Sequence, residues 1–280
     1  MSVTAVQGLV LLAVLAVMVH ASYRDCRSRE VEDLHWALIF GMGALLFCTG
    51  SNGLSGAAGI AAAASVLLMA ADLIWDRDVS GGRDILLYVG IAASVLLTLY
   101  LSRGVEGCFA YASVPAMYIL MNILYYTGIV RGGADAKCVI ALASVLPAYV
   151  SGTVPDTAAV SLFPPALAVL LVAAVLTALL SLVYLAMNLS RHDVRFPQAL
   201  MGYRMPLERA ERSFVWPMTC VMAGAVVDGT RADDSEDAFE KLREAGAEDI
   251  WVTPIIPFIA PLTAAYAAVL LFGNPLFALI

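Results

Sequence analysis

The chain has 280 residues, of which 61% are hydrophobic and only 14% charged, and its mean hydropathy is +0.84. A soluble domain of this length needs far more polar surface, so a soluble enzyme, a nucleic-acid-binding domain and a secreted disulfide scaffold are excluded. The net charge of −7 says little about partners, because acidic residues cluster in one late segment, and the five cysteines contain no CxxC pair.

Eight apolar segments follow one another at 3–22, 35–51, 53–72, 85–101, 108–128, 136–151, 162–189 and 254–272. A helix needs roughly 20 residues to cross about 30 Å of hydrocarbon, and an open sheet edge cannot be satisfied there, so each reads as a membrane helix. The sixth is short and carries Pro147; the seventh is long and is expected to tilt or to extend past the bilayer. With the N-terminus outside, Arg24, Arg27, Arg29, Arg77, Arg83, Arg131, Lys137 and the basic residues from Arg191 to Arg243 all face the cytoplasm. Only Arg103 falls outside, which is the positive-inside pattern. The first span reads as an uncleaved anchor, since no Lys or Arg precedes its apolar run.

Between the last two spans the composition changes. Cys220 to Val227 reads as a buried strand ended by Asp228-Gly229, and Ile250 to Thr253 as a second strand. Between them, Ser235 to Ala245 reads as a helix with Ser235 as N-cap, Lys241 and Arg243 in the last turn and Gly246 after it. The expected fold is an all-α polytopic membrane protein of about eight transmembrane helices, N-out, with a small cytoplasmic α+β module. Its parts are a transmembrane catalytic domain at 1–189, the module at 190–252 and a final transmembrane helix at 253–280.

Ionisable groups are scarce in the middles of the spans, where His20 and the neutral but polar Asn122 are the candidates with few others, and the acids and bases gather at inner ends. A transporter usually places such groups near the midplane, so the pattern favours chemistry at the cytoplasmic membrane face. Two inner-end stretches qualify. One runs from Asp25 to Asp33 after the first span, and the other is Gly132-Gly133-Ala134-Asp135-Ala136-Lys137, opening the sixth. Four intervening spans return both to the same side. Two aspartates there suffice to hydrolyse a peptide bond: one carboxylate activates water while the other donates a proton. The competing reading of Asp25 and Asp135 is solvated helix-end charges that balance nearby Arg and Lys. The scheme needs no metal and no cofactor, and the cysteines and histidines do not fall at ligand spacing.

Asp25-x-Arg27-x-Arg29-x-Val31 together with Gly132-x-x-Asp135-x-Lys137 resembles the two catalytic motifs of the GxGD-type aspartic prepilin peptidases. The likeness is to their archaeal preflagellin (archaellin) peptidase branch, whose C-terminal end Ile250 to Phe258 also resembles. The resemblance implies that Asp25 and Asp135 are catalytic, with Arg27, Arg29, Gly132, Gly133 and Lys137 supporting the motifs. It implies as partners the precursors of archaellins or type IV pilin-like proteins in the lipid bilayer, cut after a short basic leader; no nucleic acid is involved. Glu30, Glu32 and Asp33 then either meet that leader or form a solvated loop. Three departures accompany the likeness. Ala134 stands where the motif has glycine, eight spans replace the usual six of the archaeal branch (one added hairpin within 73–128), and the bacterial relatives' methyltransferase segment with paired CxxC has no counterpart, so the resemblance implies proteolysis alone.

Lys137 either steadies the dyad or snorkels, His20 and Cys138 read as packing residues, and Pro165-Ala166-Leu167 only imitates a PAL motif. Two alternatives stay open: a presenilin-like intramembrane protease, and a transporter or structural membrane subunit.

Overall fold

The computed structural model describes residues 5–75, 82–130, 132–150, 163–235 and 237–275. Arg77 and Arg131 of the charge pattern above, and Glu236 of the expected cytoplasmic helix, lie outside them. The chain forms two units, one of Met1–Ala173 with Pro257–Ile280 and the other of Ala174–Ile256.

The first unit is helical: α1 (Ala5–Ser28), α2 (Asp33–Cys48), α3 (Gly56–Ile74), α4 (Gly82–Leu101), α5 (Gly107–Tyr126), α6 (Gly133–Val145), the start of α7 (Pro165–Ser190), and a last apolar helix, Ile259–Phe272. Helices α1, α3, α5 and α7, with Asp84–Leu101 of α4, are long and apolar enough to cross a bilayer. Helix α2 and Ile259–Phe272 are apolar but shorter. This is a polytopic membrane protein.

Helix α6 covers only 13 residues, about 20 Å at 1.5 Å per residue, so the sixth expected span is cut short. The cause is local. Pro147 bars helical geometry at the residue before it, and Leu146 leaves the helix at φ −124°, ψ 66°. Its sequence from Cys138 to Val145 is wholly buried, packed between α2 and α5, so it has little need to reach across lipid by itself. Close helix contact is bought with small residues: Cβ atoms at Gly43, Gly59 and Gly107 would overlap Ser144, the Phe47 carbonyl and the Gly53 carbonyl respectively.

The second unit begins with the C-terminal half of α7. It continues through α8 (Gln198–Met201), β1 (Tyr203–Pro206), α9 (Leu207–Ala210), β2 (Val215–Pro217), β3 (Thr219–Met222), β4 (Ala225–Asp228), α10 (Ala238–Glu244) and β5 (Asp249–Pro254); the last apolar helix is therefore α11. Strand β5 is central in an antiparallel sheet ordered β1-β5-β2, its Ile250, Trp251 and Val252 fully buried. Asp228 gathers the unit's polar ties, accepting from Arg195 at 2.6 Å, Thr219 Oγ1 at 2.8 Å and Arg204 at 3.3 Å.

Two expectations for this unit are corrected. Cys220–Val227 is not one buried strand but the β3–β4 hairpin, largely exposed, turning at Ala223 (φ 51°) and Gly224 (φ 81°). Positive φ at both central residues is what a two-residue hairpin turn requires, and the apolar run hid it. Helix α10 starts later than Ser235: Ser235 bonds Asp233 Oδ1 at 2.6 Å instead of capping, and Asp237 takes the N-cap position. The helix end is as read, with Lys241 and Arg243 in the last turn and Gly246 in the left-handed region at φ 71°.

Candidate functional site

Asp25 lies in the last turn of α1, which stops three residues later where Arg29 turns left-handed (φ 58°) and donates its N–H to the Asp25 carbonyl at 3.1 Å. The Asp25 carboxyl, partly buried, accepts the backbone N–H of Ile259 at 3.3 Å. Arg29 is near enough to act on it through charge. Asp135 occupies the first turn of α6, partly buried, with its carboxyl folded back over Gly132. The two carboxyls feel each other electrostatically, although their helices are adjacent in neither sequence nor chain order. Such a pair at two helix ends can hold one proton between two acids and hand it to a reacting group.

The glycines before Asp135 differ in what they do. Gly132 is extended (φ −84°, ψ 111°), so its backbone suits any residue, but a Cβ there would overlap Asp135 Oδ2. Gly133 has only the Tyr125 ring at 3.7 Å, an ordinary contact. Ala134 sits inside the first helical turn, where no left-handed residue is needed.

Lys137 pairs with Asp33 Oδ1 at 2.6 Å, and Glu32 with Arg24 at 3.0 Å, so both acids are held by the chain's own cations. Glu30 is exposed. Arg27 is exposed and donates to Tyr23 Oη at 2.6 Å. His20 stacks on His35, their Nδ1 and Nε2 atoms 2.8 Å apart. Cys138 is buried and donates to the Met18 sulfur at 3.6 Å. A cavity of about 800 Å³ adjoins α6, walled among others by Asp33, Asp72, Tyr88, Asn122, Tyr125 and Lys137; neither Asp25 nor Asp135 lines it.

Sequence reasoning missed the contribution of α11. Its Ile259 meets Asp25, and one turn along, Ser22 Oγ of α1 and Thr263 Oγ1 of α11 lie 2.7 Å apart. The available signal was two hydroxyls in otherwise apolar runs, Ser22 three residues before Asp25 and Thr263 four after Ile259.

A polytopic membrane protein with two carboxyls at helix ends, Asp25 and Asp135, and a small α+β unit before its last helix in the chain is the class these features define. Residues 195–274 match the family model described as Archaeal Peptidase A24 C-terminus Type II. The match covers less than a third of the chain, and what it shows is that this stretch is similar to the C-terminal part of an archaeal peptidase. No curated protein and no solved structure matches.

Proposed function

We propose that the protein is a membrane-embedded aspartic endopeptidase that removes the short basic leader from archaellin or type IV pilin-like precursors at the cytoplasmic membrane face. The observation that supports this reading is that the helices bearing Asp25 and Asp135, far apart in sequence, touch at Met18 and Cys138, whose sulfurs lie 3.6 Å apart, with both aspartates at helix ends. The family match over 195–274 agrees with it. In this mechanism one of the two carboxyls, in its ionised form, draws a proton from water while the other is protonated. The protonated one donates to the carbonyl or to the departing amine. The pair titrates as a unit, so apparent constants belong to both carboxyls together. Arg27 and Lys137, engaged with Tyr23 and Asp33, stand outside the proton transfer.

The test is cleavage of an archaellin precursor by purified protein in detergent, followed by product mass. The wild type yields the shortened product, and Asp25→Asn and Asp135→Asn each yield none. Normal cleavage by either inserted variant removes the reading.

A further inference from the structure

The start of α11 offers backbone donors outside its helical ladder. In its first turn Ala260 N–H bonds the Pro257 carbonyl at 3.2 Å and Leu262 N–H the Phe258 carbonyl at 3.1 Å, while Pro261 has no N–H at all. Of the amides of Phe258 and Ile259, that of Ile259 meets Asp25 Oδ2. A carboxylate at a helix start also faces the positive end of the peptide dipoles. Helix α11 carries no Asp, Glu, Lys or Arg, so no side-chain charge of its own competes at this contact.

This contact needs α1 and α11 in one particular register, and a polar cluster is available to set it. Ser22 and Thr263 project from the same faces as Asp25 and Ile259, one helical turn away. Ser22 Oγ reaches the Met18 carbonyl at 2.8 Å and the Ile259 carbonyl at 3.2 Å; Thr263 Oγ1 reaches the same carbonyls at 3.2 Å and 2.9 Å. With one proton on each hydroxyl, one donates to the other and the second donates to a carbonyl, so the Ser22–Thr263 bond links the two helices across the seam. Each carbonyl already accepts within its own helix, so what the hydroxyls add is a tie between helices. Apolar packing alone resists sliding weakly, because Leu against Leu is nearly the same one step along. Tyr266 Oη to the Leu11 carbonyl, at 3.3 Å, is a further tie at a greater distance from Asp25.

We propose that the first turn of α11 positions the Asp25 carboxyl for peptide-bond hydrolysis, and that Ser22 and Thr263 are positioning residues that hold the register in which it does so. This rests on the aspartic-peptidase reading above. The residues act through Asp25 and touch no substrate, so they govern turnover more than affinity.

The test compares Thr263→Val, which keeps the shape and removes the hydroxyl, with Thr263→Ser, which keeps the hydroxyl and removes the methyl. Both are assayed on an archaellin precursor. Misplacing a catalytic group by about 1 Å costs on the order of 100-fold, so Thr263→Val is expected to lose about 10- to 100-fold in kcat, with KM within about twofold. Thr263→Ser retains most of the wild-type kcat, and Tyr266→Phe, which cuts the remoter tie, loses much less than Thr263→Val. Should Thr263→Val fail to insert, Ser22→Ala removes the other hydroxyl and is expected to give the same loss in kcat. The proposal is overturned by full kcat in the hydroxyl-less variant, by a Ser variant as impaired as Val, or by a loss confined to KM. Asp25→Asn separates the two levels. If it is inactive while Thr263→Val is normal, only the positioning role falls; if it still cleaves, the peptidase reading falls.

Discussion

A methyl group at position 132 would displace the Asp135 carboxyl, because a Cβ there would overlap Asp135 Oδ2, while at 133 its nearest neighbour is the Tyr125 ring at 3.7 Å. Gly132→Ala is therefore expected to lower kcat on an archaellin precursor at least about 10-fold by pushing the carboxyl aside, and Gly133→Ala to change it less than about twofold. Equal losses in the two variants would mean that the glycines serve the turn and not the carboxyl. The Lys137–Asp33 pair lies at a different level of importance. Its side chains are 25% and 40% exposed, so it contributes about 0.5 kcal/mol. Lys137→Met is expected to retain activity within a few-fold, which a precursor assay checks; complete loss would draw Lys137 into the proton chemistry. Asp25 and Asp135 were legible from the sequence because charged residues in so apolar a chain stand out at span ends, and span parity gives their side. The Ile259 amide was not legible, since any backbone offers one. Only the docking of α11 on α1 shows which amide of its first turn meets the carboxyl.

At the scale of elements, hydropathy located the apolar helices well but not their ends, which depend on single residues: Arg29 in the left-handed region, Leu146 before Pro147. The α+β unit was harder to read. The three-residue strand β2 and the proline-ended β1 carry too few alternating positions to register as strands, yet both pair with β5. Helix α10 presents Lys241 and Arg243 more than half exposed, the first paired with Asp237 and the second with Glu211. We expect this helix to be dispensable for chemistry and to matter for precursor docking. Reversing both charges to Glu is expected to change KM several-fold with kcat within about twofold, measured on the precursor. An unchanged KM leaves α10 a structural helix alone.

At the scale of the molecule, the proposal requires Asp25 and Asp135 to reach the cytoplasm together. Cys26, exposed beside Asp25, supplies a native probe, and a cysteine placed at Ala134 supplies one beside Asp135. In chains with no other cysteine, both are expected to react with a membrane-impermeant maleimide from the cytoplasmic side only. Labelling of the two from opposite sides would rule out a shared site, whatever the orientation of the rest. The central claim, that the two carboxyls act as one catalytic unit, is tested most directly by comparing the single variants Asp25→Asn and Asp135→Asn with the double variant. Each single variant is expected to lose nearly all cleavage of an archaellin precursor, and the double variant to be no worse within about a few-fold, since neither acid completes the proton transfers alone. Substantial cleavage by either single variant, or losses that multiply in the double variant, would contradict it.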